Sequence, residues 1–170
     1  MEEMHLPHRT VHTEYGLFTI VQREEALTNL CFGTAEMGEK APAETPLLKE
    51  AERQLLAYFA GKLHRFDLPL LPTGTPFQLA CWAALCRIPY GEVRTYSQQA
   101  QMIGRPTASR AVGMANHFNP LPIFVPCHRV IGASGKLTGY AGGLELKKQL
   151  LELEQRNGFE KTDKIMPVKE

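Results

Sequence analysis

A cysteine directly followed by a histidine, Cys127-His128, is the pair of residues best suited to chemistry in this chain. A thiol is strongly nucleophilic only as the thiolate, and an adjacent imidazole can take its proton. The pair follows the short apolar run Ile123–Val125 and is flanked by Pro126 and Arg129. Because cysteine is also one of the most buried residue types, this segment alone fits two interpretations, a nucleophile with its base or a small core residue.

Length and cysteine content predict a reduced globular protein. The 170 residues are enough for one ordinary domain or two small ones without disulfide bonds. The four cysteines show no C-x-x-C pairing, which favours free thiols in a reducing compartment. No window approaches the roughly 18 apolar residues of a membrane span, so we expect a protein that is cytoplasmic or nucleoid-associated and has no membrane partner.

Charge is balanced overall but unevenly distributed. The chain has 19 basic and 18 acidic side chains, yet Glu92 is the only acid in residues 77–133. A cationic surface on a neutral protein suits sequence-tolerant phosphate binding, whereas arginines scattered for solubility are the alternative. The arginines of this segment are Arg87, Arg94, Arg105, Arg110 and Arg129.

The first half of the chain has the pattern of a small antiparallel sheet followed by a helix. After a loop at residues 33–45, Pro46 begins a helix that ends near Gly61. Apolar and polar residues alternate in three predicted strands, Val11–Thr13, Leu17–Gln22 and Ala26–Phe32. The apolar face of the helix contains Leu48, Ala51, Leu55, Tyr58 and Phe59.

The proline-rich segment Leu68–Thr75 is the best candidate for a domain boundary. We expect an N-terminal α/β domain over residues 1–74 and a C-terminal domain over residues 75–157. The remaining residues, 158–170, are polar and without periodicity, which is typical of a flexible tail.

The second half is predicted to be mostly helical. Thr75 before a proline is typical of a helix start, and the apolar face of that helix places Cys81 and Cys86 in the core. Thr95–Gln98 matches a capping box, which predicts a second short helix. A third helix over Thr107–Asn116 then completes a helix-turn-helix, a pattern shared with plain helical hairpins.

The last helix of this motif is unusually smooth. Major-groove readers need several long polar side chains, whereas a smooth helix with one arginine, Arg110, suits shallow insertion into a minor groove. Packing of the small residues on another helix explains the pattern equally well. The small residues are Ala108, Ser109, Ala111, Gly113 and Ala115.

Five segments keep a common order and spacing: Ile88–Val93, Ser109–Gly113, Asn119-Pro120, Pro126–Val130 and Thr138–Gly143. In these segments the chain resembles the O6-alkylguanine-DNA alkyltransferases, the methylated-DNA-protein-cysteine methyltransferases of bacterial type. The resemblance covers about residues 74–155. It implies an α+β fold: a ribonuclease-H-like small antiparallel sheet with a helix, then a mostly helical domain with a helix-turn-helix and the cysteine turn. The N-terminal part is similar only in outline.

The resemblance implies DNA repair in which Cys127 takes the alkyl group from O6 of guanine irreversibly, so each molecule acts once. Activity on O4-alkylthymine is left open, and no cofactor is implied. In the family, the histidine after the cysteine acts as a base through a bridging water, and a glutamate orients it. These positions match His128 and Glu154. From its place on an amphipathic helix alone, Glu154 also suits a solvated helix face.

The resemblance also implies how the damaged base is reached. An alkylated guanine must be flipped out of the duplex; Arg110 would fill the gap, and Tyr96 would rotate the phosphate and protonate the departing guanine at N3. The residues expected to contact DNA are Thr95, Arg105, Ala108, Ser109, Arg110, Ala111 and Gly113. The base pocket is expected to contain Tyr140, Asn119 and backbone groups of Cys127, Val130 and Ala141.

The implied partner is double-stranded DNA, bound through its minor groove with low sequence specificity by a monomer; cooperative binding is left open. Phe118 is bulkier than the glycine or serine expected there, which bears on access to the pocket. No metal is expected, since the zinc ligands of some relatives are not reproduced by His5, His8, His12, His64 and Cys31.

Two other functions remain open from the residues. A cysteine hydrolase could use Cys127 and His128, although such enzymes usually take their base from a distant part of the chain. A non-enzymatic binder of DNA lesions could use the same helix-turn-helix. Because alkyltransferase-like binders lack the acceptor cysteine, the presence of Cys127 disfavours the second alternative.

Overall fold

The structure, a computed structural model, describes residues 6–34 and 44–158. Strands β1 (His8–Thr13), β2 (Gly16–Arg23) and β3 (Ala26–Phe32) form an antiparallel sheet in the order β1-β2-β3. The predicted meander is confirmed, with β1 beginning at His8 rather than at Val11. Most of the predicted loop over residues 33–45, His5 and the predicted tail beyond Gly158 lie outside the described residues.

Helix α1 (Pro46–Phe59) packs on this sheet. The hydroxyl of Thr45 accepts a hydrogen bond from the backbone of Leu48 at 3.0 Å, and Pro46 occupies the first turn, where its missing N–H is not needed. The ring of Phe59 stacks on Phe18 of β2 with 5.3 Å between the ring centroids. The apolar face predicted for α1 is therefore its buried face.

The proline-rich segment after α1 runs beside β3. Leu27 donates to the carbonyl of Pro69 and accepts from the backbone of Leu71, both at 2.8 Å. Further along β3, Leu30 donates to the carbonyl of Pro120 at 2.9 Å. Buried apolar residues from both halves of the chain form one continuous core. The N-terminal sheet is thus bonded directly to the second half, and the domain boundaries at residues 74 and 157 stay a prediction.

The second half is built on helices α2 (Pro76–Leu85), α3 (Tyr96–Met102) and α4 (Ser109–His117). Thr75 and Thr95 each form a capping box with a glutamine three residues later, as expected for Thr95. Cys81 is buried as predicted, but the prediction for Cys86 was wrong, because its side chain is exposed. Five residues along a helix turn a side chain by about 140°, so Cys86 leaves the face that Cys81 buries.

Polar side chains hold the helix-turn-helix together inside the core. Gln99 of α3 and Asn116 of α4 exchange two hydrogen bonds, at 3.0 and 2.7 Å. Gln99 also donates to the carbonyl of Cys81 in α2 at 3.1 Å. The indole of Trp82 donates to the carbonyl of Ala115 at 2.8 Å. These buried bonds fix the three helices relative to one another.

The last elements bring the cysteine turn beside the helix-turn-helix. Strand β4 (Arg94–Thr95) pairs in parallel with β5 (Val130–Ile131), which directly follows the 3-10 turn Cys127–Arg129. Helix α5 (Leu144–Asn157) then packs on this turn. Since β4 leads straight into α3, the first residue of α3, Tyr96, starts close to the cysteine turn.

The Gln99–Asn116 pair should contribute measurably to stability. Gln99→Leu keeps the bulk of the side chain but leaves the buried amide of Asn116 without its partner, which costs about 1–3 kcal/mol. Urea unfolding followed by circular dichroism measures this loss. Gln101→Leu, at an exposed position of α3, is the matched control, and equal free energies of unfolding for the two variants would contradict the assignment.

Candidate active site and nucleic-acid interface

Cys127 follows a loop that is tied at both ends by one side chain. Asn119 donates through Nδ2 to the carbonyl of Val125 at 2.8 Å, and its Oδ1 accepts from the backbone of Leu121 at 2.9 Å. Inside this loop Ile123 has a φ of 75°, a left-handed conformation that a β-branched residue keeps only when its surroundings impose it. Asn119 thus holds the strained loop that presents the thiol, and it lies between α4 and the cysteine turn.

His128 and Glu154 form a fully buried pair. Nε2 of His128 lies 2.6 Å from Oε2 of Glu154, with side-chain exposures of 0% and 1%. Because a carboxylate only accepts, Nε2 carries the proton and Nδ1 keeps its lone pair. Within the described residues Nδ1 makes no hydrogen bond to the protein, so it is the nitrogen available as a base. The alternative of a solvated helix face for Glu154 is wrong, since α5 turns this side chain into the interior.

Three more groups donate to the same carboxylate. Arg129 binds both oxygens, with Nε 2.8 Å from Oε1 and Nη2 3.1 Å from Oε2. The backbone N–H of Gly91 donates to Oε1 at 3.1 Å, and the hydroxyl of Tyr58 donates to Oε2 at 2.6 Å. Gly91 has a φ of 82°, which favours glycine. These groups together with His128 and Glu154 are called the Glu154 cluster below.

The charges of the Glu154 cluster determine its protonation. Burial alone would raise the pKa of Glu154, but His128 and Arg129 outweigh it and hold that pKa well below its usual range. Burial lowers the pKa of His128, and the nearby cations Arg129 and Lys147 add to this, while Glu154 opposes it. A second cation beside Arg129 is therefore disfavoured, and the cluster holds a carboxylate and a neutral imidazole near neutral pH.

The surroundings of Cys127 oppose a resting thiolate but can stabilise one that forms. Burial raises the pKa of the thiol, while a hydrogen bond from Asn119 and the charge of Lys147 lower it in part. Lys147 is itself buried on α5, and its Nζ donates to the carbonyl of Thr138 at 2.8 Å. The thiol is thus protonated at rest, with the cation of Lys147 nearby and a neutral imidazole on the next residue of the chain.

Cys127 lines a pocket together with most of the residues expected there. The hydroxyl of Thr138 donates to that of Tyr96 at 3.0 Å on one side of this pocket. Val130 is fully buried and does not line it, and Phe118, 58% exposed, lies outside it. The lining residues are Tyr96, Gly113, Asn116, His117, Asn119, Pro122, Cys127, Thr138, Gly139, Tyr140 and Ala141.

Some of the small residues of helix α4 and its start are buried or half-buried, and others are exposed. Val112 and Ala115 are buried in the core, so packing explains part of the smooth surface. Ala108 and Ser109, at the start of α4, are half-buried, and a Cβ at Gly113 would lie 3.6 Å from the ring of Tyr96. The exposed stripe of α4 consists of Arg110, Ala111, Met114, His117 and Phe118.

The cationic surface is smaller than the sequence predicts. Arg129 is buried on Glu154, and Arg94 pairs with Glu92 at 3.2 Å, so neither offers a free charge to a phosphate. The hydroxyl of Thr95 accepts from the backbone of Gln98, which gives it a capping role in addition to any contact with DNA. The exposed arginines of this segment are Arg87, Arg105 and Arg110.

The sequence patterns missed several residues of the site, among them Lys147, Arg129 and Tyr58. Lys147 lies seven residues before Glu154 on α5, and this spacing of two helical turns could have indicated a shared face. The charge pattern places Arg129 on the cationic surface, although this residue adjoins the cysteine motif and is bound to Glu154 in the interior. Tyr58 was assigned to the core of α1, and no local pattern connects it to Glu154, which lies 96 residues away.

Comparisons with known proteins agree with this arrangement. Residues 76–156 match the family model for the DNA binding domain of 6-O-methylguanine DNA methyltransferase, and residues 6–72 match that for its ribonuclease-like domain. The chain is 50% identical over 151 residues to the methylated-DNA-protein-cysteine methyltransferase of Methanosarcina barkeri, across 86% of this chain and 96% of that protein. The chain belongs to the methylated-DNA-protein-cysteine methyltransferase family.

Other members of the family are similarly close. The methylated-DNA-protein-cysteine methyltransferase of Mycolicibacterium paratuberculosis is 51% identical over 155 residues, across 89% of this chain and 94% of that protein. A Mycobacterium tuberculosis relative, solved in complex with DNA, superimposes with a TM-score of 0.81 at 46% identity, covering 89% of this chain and 94% of that one. The α+β fold expected from the resemblance is confirmed.

Two further properties concern the part of the chain that the structure describes. Residues 6–34 and 44–158 contain no group of three or more histidine, cysteine, aspartate or glutamate side chains arranged to hold a metal ion. Within the same residues, no helix has the length and apolar character needed to cross a membrane.

The Glu154 cluster predicts that acid destabilises this protein. The folded-state pKa of His128 is lowered, so the unfolded chain takes up a proton first as the pH falls through about 6.5, and the stability from the neutral imidazole is lost from there downwards. The lowered pKa of Glu154 causes a further loss of stability at lower pH, because this carboxylate also takes up its proton first in the unfolded chain. Urea unfolding at pH 7.5, 6.5 and 5.5 (about one unit apart, spanning the ordinary histidine pKa) measures this.

His128→Gln should flatten the loss of stability between the two lower pH values, because the buried site then has no imidazole to titrate. His12→Gln, at an exposed position of β1, is the matched control and should keep the wild-type slope. The same slope in both variants would contradict the protonation states derived for the cluster.

Proposed function

We propose that Cys127 accepts the alkyl group of O6-alkylguanine in double-stranded DNA, which repairs the base directly and spends the protein. One observation carries this proposal. Cys127 lines a pocket, and the next residue of the chain carries a buried imidazole oriented by Glu154, in a family named for transfer from methylated DNA to a protein cysteine. Activity on O4-alkylthymine is left open.

The reaction is a single displacement. The bond from Sγ of Cys127 to the alkyl carbon forms as the bond from that carbon to O6 breaks. The thiol proton passes to Nδ1 of His128 through a bridging water, and the departing guanine takes a proton at N3 from Tyr96, whose hydroxyl accepts from Thr138. His128 later releases its proton to solvent and Tyr96 regains one, so no other reactant is consumed. Thiol exchange does not reverse a thioether, so each molecule acts once.

The DNA complex of the Mycobacterium tuberculosis relative supports DNA as the partner. We propose that the exposed stripe of α4 enters the minor groove with low sequence specificity, and that Arg110 fills the gap left by the flipped guanine. A monomer suffices for this contact, with cooperative binding left open. Residues 75–157 then form the alkyltransferase domain and residues 1–74 the ribonuclease-H-like domain, in a protein working in the cytoplasm on the nucleoid.

Intact mass after incubation with a duplex that contains O6-methylguanine tests the transfer. One methyl group should be gained by Cys127, in equal amount to the guanine restored, because the thioether is not turned over. Cys127→Ser should gain none while retaining lesion binding. Cys86→Ser removes an exposed thiol outside the pocket and should behave as wild type. Repeated turnover, or methylation at a cysteine other than Cys127, would refute the proposal.

Arg110→Ala tests the intercalating role. Without this side chain the flipped state of a duplex is less stable, and since flipping costs a few kcal/mol, the repair rate on duplex DNA should fall about tenfold or more. Reaction with free O6-benzylguanine needs no flipping and should change much less. Arg53→Ala, at an exposed arginine of α1, is the charge-matched control. Equal losses on both substrates for Arg110→Ala would contradict the role.

A further inference from the structure

We propose that Tyr58, on helix α1 of the N-terminal half, is a positioning residue for the transfer: its hydroxyl fixes the carboxylate of Glu154, which in turn orients His128. The inference rests on the proposed function and deepens it. It assigns to the N-terminal half a part in the chemistry, in addition to its part in the fold.

The contacts of Tyr58 place its hydroxyl at the centre of the Glu154 cluster. The side chain is fully buried, and its oxygen lies 2.6 Å from Oε2 of Glu154 and 3.4 Å from Nε2 of His128. Tyr58 therefore donates to the same carboxylate oxygen that accepts the hydrogen bond from Nε2 of His128. A change at this oxygen reaches the imidazole directly.

The carboxylate of Glu154 is saturated with donors. Oε1 receives Nε of Arg129 and the N–H of Gly91, while Oε2 receives Tyr58, His128 and Nη2 of Arg129. A carboxylate offers about four lone-pair sites, so little freedom to rotate is left. Arg129 and Gly91 hold mainly Oε1, whereas Tyr58 is the neutral donor on the oxygen that His128 uses.

The ring of Tyr58 is held independently of its hydroxyl. It packs against Phe59, Phe66 and Tyr90, with ring centroids 5.5, 5.3 and 6.0 Å away. Replacement by phenylalanine therefore removes one hydrogen bond and preserves the packing. Tyr90 offers a matched control in the same aromatic group, since its own hydroxyl has no hydrogen-bond partner within the described residues.

Loss of the hydroxyl has a definite electrostatic effect. A hydrogen bond to a carboxylate stabilises its charge and makes it a weaker base. Without that bond Glu154 attracts the proton of an imidazolium more strongly, so His128 should protonate at a higher pH. Other charged and titratable groups around the pair are Arg129 and Cys127 from the cysteine turn, Lys147 from α5, Tyr90 from the segment before β4 and Tyr140 from the segment before α5. Each of these is unchanged by Tyr58→Phe.

The experiment compares the full-length wild type, Tyr58→Phe and Tyr90→Phe. The single-turnover rate of methyl transfer from an O6-methylguanine duplex is measured across pH, and the titration of His128 is followed by NMR of its imidazole. For Tyr58→Phe we expect a transfer rate about threefold to thirtyfold lower near neutral pH. The acid limb of the rate–pH profile and the NMR titration of His128 should both move upward by about half a pH unit or more. Tyr90→Phe should match the wild type in transfer rate, in the acid limb and in the His128 titration.

The outcomes separate the two proposals. An unchanged acid limb and His128 titration in Tyr58→Phe would overturn the positioning role, even if the rate falls uniformly, because a merely structural role lowers the rate at every pH. Absence of methyl transfer in the wild type would overturn the proposed function, while the His128 titration would still test the hydrogen bond.

A second variant keeps the test decisive if Tyr58→Phe does not fold. Site-specific 3-fluorotyrosine at position 58 keeps the ring and the bond but makes the hydroxyl a stronger donor. It should move the His128 titration and the acid limb to lower pH, opposite to phenylalanine. No shift in this variant would overturn the inference.

Discussion

A single buried carboxylate, that of Glu154, is the constraint on which the rest of this site depends. A charge in the interior is costly unless it is fully paired, and here it is bonded by an arginine, a histidine, a tyrosine and a backbone N–H. The carboxylate and its donors come from four parts of the chain: α5 carries Glu154, and the donors lie in α1, the segment before β4 and the cysteine turn. The need to satisfy one anion therefore fixes how these parts meet, and the nucleophile takes its place from them.

Two hydrogen bonds of a second side chain position the thiol. Asn119 closes the loop ahead of Cys127 and keeps Ile123 in a left-handed conformation that this residue would not adopt alone. The parallel pairing of β4 with β5 then ties the start of the helix-turn-helix to the same turn. The pocket residues and the Glu154 cluster are thus held on one frame, which lowers the cost of ordering them for a reaction.

Much of the fold could be predicted from the sequence, because its signals are local. Alternation gave the three strands, and Thr95 with a glutamine three residues later marked the start of α3. Cys86 was misplaced because an apolar residue near a helix end need not lie on the buried face. Arg129 was misjudged as a surface cation, since charge patterns do not show which arginine meets a buried acid. Tyr58 could not be found, because its partner is distant in the chain and meets it only after folding.

The order of the Glu154 cluster along the chain has a consequence for synthesis. Cys127 and the pocket residues up to Ala141 emerge from the ribosome before α5, which carries both Glu154 and Lys147. Until that helix has left the exit tunnel and docked, the nascent chain holds a thiol without an oriented base or its neighbouring cation. A protein that reacts only once would then become reactive only after α5 has folded onto the cysteine turn.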